Sequence, residues 1–157
     1  MVATATQLIV SQHGFAAVLQ APETGDRFLY STQAFVPGDM ICPFSAAAIF
    51  DKPSYLTVQT GDDTHITLTP SFLQYVNHSC LPNAFFDTRA MQLVCIAPIE
   101  PGEQFTFFYP STEWEMAQPF ECQCGTQSCI GQITGASQID KEILSRYHLS
   151  EYIVAKL

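Results

Sequence analysis

The stretch YVNHSCLPN, residues 75–83, decides how this chain is read. Tyr75 and Val76, running in from Phe72 and Leu73, have the apolar, β-prone character of a short strand. Asn77, His78, Ser79, Cys80, Pro82 and Asn83 then crowd into the next seven positions. That is more hydrogen-bonding and ligand chemistry than a simple chain reversal uses. A thiol and an imidazole two residues apart raise the question of a metal, a cofactor, or both.

Composition bounds the answer. At 157 residues the chain fits a single domain. Apolar residues make up 47%, with twelve Phe and six Tyr, enough for a packed core and against wholesale disorder. The longest apolar run, residues 46–50, falls far short of the ~20 residues that span a bilayer, so no membrane partner is expected. The opening MVATATQLIV carries no basic segment, and a signal peptide is not expected. A cytoplasmic or nuclear location follows as the default expectation. The net charge of −9, with only six Lys and Arg, argues against a nucleic-acid partner held through its phosphates. It suits a basic partner, or solubility alone. Six cysteines in an unsecreted chain point to metal or free thiols rather than disulfides.

Along the chain, short β-type runs follow one another: QLIV, FAAVL, RFLYST, DMICPF, YLTVQ and HITLT. Turn formers separate them at residues 22–25, at Pro37-Gly38, and at Gly61-Asp62-Asp63, the last predicting a hairpin between residues 55–60 and 65–69. Further strands are predicted over 84–87, 92–97 and 104–109. The fold class is therefore mainly β with short helices. Residues 111–115 can start a helical turn. Near the C-terminus Ser137 is placed to cap a helix with Ile139, Ile143, Leu144 and Tyr147 on one face, and Ser150 to cap a second.

Between these regions lies CQCGTQSC, Cys122 to Cys129, three thiols within eight residues. A structural zinc takes four N or S ligands in a tetrahedron, so the cluster lacks one. Cys80, Cys42, Cys95 and the histidines are the candidates for the fourth.

NHSCLPN, GEQFTFFY (residues 102–109) and CQCGTQSCIG (residues 122–131), in this order and spacing, resemble the SET domain with its post-SET zinc loop. Upstream, AFVPGDMI (residues 34–41) is similar to the stretch that follows that family's first cofactor loop. The resemblance covers about residues 26–131 and, through PSTEWEMAQPFECQCG (residues 110–125), extends to the short stand-alone SET/post-SET proteins of filamentous fungi.

The resemblance implies a SET domain over 1–117, a post-SET zinc loop over 118–135 and a helical tail over 136–157 packed on the domain. It implies that residues 77–80 and the strand ending in Tyr109 interlock as a pseudoknot pinned by Asn83. The activity it implies is S-adenosylmethionine-dependent methylation of lysine in a basic protein substrate. Tyr109 would be catalytic. Asn77, His78, Arg27, Phe28 and Phe120 would bind the cofactor, and Tyr30, Phe86 and Phe107 would line the substrate channel. Cys80 would complete the zinc site with Cys122, Cys124 and Cys129. Phe86 and Phe107 stand where a tyrosine hydroxyl would restrict the enzyme to one methyl, which implies di- or trimethylation.

One position departs from the family. SET domains usually carry Gly-x-Gly ahead of residues 31–32, and Phe28 replaces the second glycine. Glycine serves there for close backbone approach. The departure keeps a second reading open, a SET fold that no longer methylates. Such a protein would be a binding module, or a cyclase or isomerase taking a small apolar ligand among Phe28, Tyr30, Phe85, Phe86, Phe107 and Phe108.

Overall fold

Residues 7–157 are described by the computed structural model; residues 1–6, on which the signal-peptide expectation partly rests, lie outside them. The first sheet has the order β1-β2-β3, formed by β1 (Leu8–Gln12), β2 (Ala16–Gln20) and β3 (Arg27–Ser31), all antiparallel. Ala16, Ala17 and Val18 of the central strand β2 are all buried, and since successive side chains point to opposite faces, both faces of this strand are covered. Strand β4 (Met40–Pro43) follows the Pro37-Gly38 turn, where Gly38 sits at φ +99°, a conformation that favours glycine.

The next sheet, in the order β5-β7-β6, contains the expected hairpin between β6 (Val58–Gly61) and β7 (Thr64–Thr69), with β5 (Ser45–Phe50) on the other side of β7. One expectation changes here. The strand expected from Tyr55 begins only at Val58, after a turn in which Ser54 O accepts from Thr57 N. The apolar run at residues 46–50 falls in β5, every residue of which is exposed. A second change concerns Phe72 and Leu73. They belong to a 3₁₀ helix, Ser71–Tyr75, instead of a strand. Pro70 stands just before its first turn, where a missing N–H costs nothing and φ is already suitable.

Strand β8 (Asn77–His78) leaves this helix, and β9 (Ala84–Asp87) and β10 (Gln92–Cys95) join β4 in a sheet of order β4-β10-β9. Side chains alternate buried and half-buried along β9 and β10, the period-two pattern of a sheet with one face on the core. Strand β11 (Thr106–Phe107) then runs parallel to β8. A short antiparallel pair, β12 (Phe120–Glu121) with β13 (Gln132–Ile133), frames the cysteine-rich loop.

The chain ends in α1 (Lys141–Leu144) and α2 (Glu151–Lys156). Ser150 caps α2 as expected, accepting from Ile153 N. Ser137 does not cap α1: Asp140 does, accepting from Glu142 N, and Ser137 lies in a 3₁₀ turn over Ala136–Gln138. Leu144 and Ile153, both fully buried, pack with Ala136 on Phe108, so the tail is fastened to the strand that ends at the candidate site. The main core gathers Leu29, Ile66, Phe86 and Leu93 from the three larger sheets and Phe35, Ile99 and Phe105 from their connections. No helix among the described residues is long and apolar enough to cross a membrane.

Candidate active site

The polar residues of 77–83 tie two strands of the chain together. Asn77 pairs with Thr106 and His78 with Phe107 in the parallel β8–β11 ladder. Asn83 supplies what a two-residue ladder cannot. Its Nδ2 donates to Gln104 O at 2.9 Å and its Oδ1 accepts from Thr106 N at 2.9 Å. Asn77 Nδ2 donates to Arg27 O and to Gln104 Oε1, both at 3.2 Å, which brings the start of β3 to the same place.

His78 sits behind the residue that follows the ladder. Its Nδ1 accepts from Tyr109 N at 3.2 Å, and its ring meets those of Phe108, Tyr109 and Phe120 at centroid distances of 5.2–5.7 Å. Burial pushes its imidazole down to about 4, so the ring is neutral. With Nδ1 accepting, the proton lies on Nε2, which faces Cys80 Sγ at 3.3 Å.

Cys80 is thereby one of four thiols that meet. The Sγ atoms of Cys80, Cys122, Cys124 and Cys129 all lie within 4.8 Å of one another, and those of Cys80 and Cys122 are 3.7 Å apart. Four zinc–sulfur bonds of ~2.3 Å in a tetrahedron place the sulfurs about 3.8 Å apart. The donor set and its spacing fit such a metal. Ile130 N and Cys124 N point at Cys80 Sγ and Cys122 Sγ, the kind of donors that stabilise thiolates. Tyr147 donates to Cys80 O at 2.7 Å while lying flat on Phe108, 3.6 Å between centroids. Cys42 and Cys95, the other sequence candidates for the fourth ligand, are buried free thiols that burial pushes up in pKa, away from this cluster.

Tyr109 opens on the other side into a cavity of about 570 Å³. Arg27, Asn77, Phe86, Phe107 and Phe120 share its wall with Tyr109. Six of the residues singled out in the sequence are thus brought to one space. Its size falls in the ~300–1,000 Å³ range of small-molecule sites, and its lining is mostly apolar with a few polar groups. Burial pushes the Tyr109 phenol up to about 12, against a hydrogen bond from the His78 backbone.

Three of the residues expected at the site fall outside this cavity. Phe28, Tyr30 and His78 do not line this cavity. Phe28 sits in β3 opposite Leu19, without the positive φ for which glycine would be needed, and Tyr30 lies opposite Ala17 and bridges to Gln104. The lost glycine therefore does not plug the space. His78 acts from behind, through Tyr109 N and Cys80 Sγ. Of the aromatic residues in the small-ligand reading, only Phe86 and Phe107 reach the cavity; Phe108 packs on the helical tail and Phe85 on His148.

The cavity also contains a residue that the sequence did not single out. Glu113 lines it, with Oε2 accepting from Gln59 N at 3.1 Å and from Thr112 Oγ1 at 2.8 Å. Its partner Gln59 is 54 positions away, so no local pattern announces it.

Comparison with known proteins agrees with this arrangement. The SET domain family model matches residues 26–110. Methyltransferase flvH of Aspergillus flavus is 41% identical over 125 residues, 78% of this chain and 70% of that protein. A histone-lysine N-methyltransferase, H3 lysine-36 specific, of Schizosaccharomyces pombe is 32% identical over 95 residues, 56% of this chain but only 12% of that much longer protein. Among solved structures, that of KRYPTONITE in complex with mCHG DNA and SAH shares the fold at a TM-score of 0.55 and 19% identity, over 72% of this chain and 27% of that one. The chain belongs to the SET domain family.

Proposed function

We propose that the protein is an S-adenosylmethionine-dependent N-methyltransferase that modifies lysine in a basic protein substrate and carries one structural zinc. The observation that carries this reading is the convergence of Tyr109, Asn77, Arg27 and Phe120 on one cavity, backed by the four-thiol cluster. The name of the Aspergillus flavus relative supports methyl transfer, and those of the histone-lysine methyltransferases support a protein lysine as acceptor. The −9 charge favours a substrate with basic flanks.

When bound, S-adenosylmethionine supplies a sulfonium methyl group for in-line displacement by a nitrogen lone pair. Arg27, at the exposed end of the wall, would hold its carboxylate by charge-assisted hydrogen bonds. Asn77 spends its amide N–H groups on Arg27 O and Gln104 Oε1, which leaves its carbonyl oxygen to accept from the cofactor's amino group. Phe120 offers an aromatic face to the cation. Zinc on the four cysteines would hold the loop that carries Phe120 against the domain. Tyr109, protonated at neutral pH, does not serve as a base. Its hydroxyl would orient the amine and, with the cofactor bound, could meet the polarised methyl hydrogens through C–H···O contacts.

Product number follows from the wall. Phe86 and Phe107 stand edge to face, 4.7 Å between centroids, and Phe107 is 4.7 Å from Tyr109. Neither offers a hydroxyl to fix a water beside the amine, so a methylated nitrogen can turn and react again. Mass spectrometry of a basic lysine peptide treated with the protein and cofactor should show di- or trimethyl-lysine accumulating. Monomethyl-lysine as the sole product, with the enzyme still active, would contradict this role for the two phenylalanines.

A further inference from the structure

Glu113 is the only buried carboxylate among the described residues, 7% exposed, and it lies on the cavity wall. Both of its hydrogen bonds among the described residues fall on Oε2, which leaves Oε1 facing the cavity without a partner among them. No Lys or Arg neutralises it: the ion pairs among the described residues are Arg89–Glu151 and Lys156–Asp62. Burial accordingly pushes its carboxyl up to about 7, against the help of the two hydrogen bonds. If its task were only to receive N–H and O–H donors from Gln59 and Thr112, a neutral Gln would serve without the cost of burying a charge. A buried anion on a cavity wall, with no Lys or Arg of the described residues in ion-pair reach, is matched by a cation that arrives from outside.

The surroundings restrict what that cation can be. Phe86, Phe107, Val58 and Leu68 give the cavity walls suited to methylene groups. Asp26 and Arg27 are exposed at its edge, and Tyr109 is neutral. On the far side of Gln59, Tyr152 and Lys156 of α2 are already engaged with Asp62, at 2.7 and 3.3 Å. Glu113 is left as the one internal negative charge.

We propose that Glu113 is the anchor for the substrate's ammonium group, pairing with a primary alkylammonium carried on a methylene chain. This rests on the reading that the cavity receives an amine, and it adds the group that captures the incoming amine in its cationic form, before the proton leaves and frees the lone pair for transfer. Electrostatic pairing of this kind falls off when Glu113 is protonated, so it is strongest above about pH 7.

The test needs no catalysis. Zinc-loaded protein is titrated by NMR with n-butylammonium and with n-butanol, its uncharged counterpart, at about pH 8 and about pH 5.5; the amine, with a pKa of ~10, is charged at both. Wild-type protein should prefer the ammonium by about tenfold at the higher pH and lose that preference at the lower. Glu113→Gln, which keeps an oxygen for both donors, should bind the two probes alike and bind n-butanol as wild type does. Equal affinity of wild type for the two probes at both pH values would overturn the proposal, whether or not the variant folds. So would a folded Glu113→Gln that keeps the ammonium preference. Ammonium preference without methyl transfer to any lysine peptide would sink the methyltransferase reading and leave the anchor standing.

Discussion

Tyr109→Phe should lower the rate of methyl transfer by about a hundredfold while leaving the thermal midpoint unchanged. Removing one preorganised polar group aimed at the reacting centre costs roughly that much in other enzymes. The ring stays, packed against His78, Phe107 and Phe120. An effect on kcat with little change in KM would mark a group that acts in the transition state. A variant that retains near-wild-type turnover would remove Tyr109 from the chemistry. A variant that loses its fold would place the hydroxyl in the core instead, against the geometry described above.

Cys80→Ser should be the most damaging single substitution outside the apolar core. Structural zinc contributes on the order of 10 kcal/mol to the element it holds, and this thiol joins the domain to the loop. Elemental analysis should find one zinc per wild-type chain and a large loss in the variant. Methyl transfer should fall with it, because Cys80 Sγ receives His78 Nε2–H and His78 Nδ1 receives Tyr109 N–H. The four-thiol cluster and Tyr109 are thus two hydrogen bonds apart. A fully folded wild-type protein with no metal would end the zinc assignment. A Cys124→Ser variant should loosen the same site while sparing the His78 contact, which separates loop closure from the positioning of Tyr109.

What could be read from the sequence was what the sequence writes densely. Residues 77–83 and 122–129 concentrate ligands and hydrogen-bonding groups at spacings that few structures use, and the structure brings both stretches together at Cys80. The β character of the chain was visible for the ordinary reason that short apolar runs alternate with Gly, Pro and Asp turns. The misreadings have local causes. Residues 71–75 looked like the approach to a strand, but Pro70 is well suited to the start of a helical turn. Asp140 and Ser137 stand three residues apart, both good caps, and only the packing of Leu144 on Phe108 selects the later start.

The site was legible where a side chain's role depends on its neighbours in sequence, and illegible where it depends on distant ones. Phe28 was expected to obstruct the cofactor because the family uses glycine there, but β3 holds it off the cavity wall, opposite Leu19. Tyr30, two residues on, is off the wall as well. Glu113 could not be found at all. One acidic residue in a short polar segment is ordinary, and its burial depends on Gln59 and the tail that packs from residue 136 onward. There, Gly135 lets the backbone lie against Trp114, where Ala136 N donates to Glu113 O and Ser137 N to Trp114 O.

The departure at Phe28 makes cofactor binding the point on which the proposed function stands or falls. Calorimetric titration of the zinc-loaded protein with S-adenosylmethionine addresses it without a substrate. Saturable binding of one molecule per chain, weakened by Arg27→Ala and by Asn77→Ala, is the expected result. Absence of saturable binding by folded, zinc-loaded protein would contradict it, and with it the assignment of the cavity beside Tyr109 to methyl transfer.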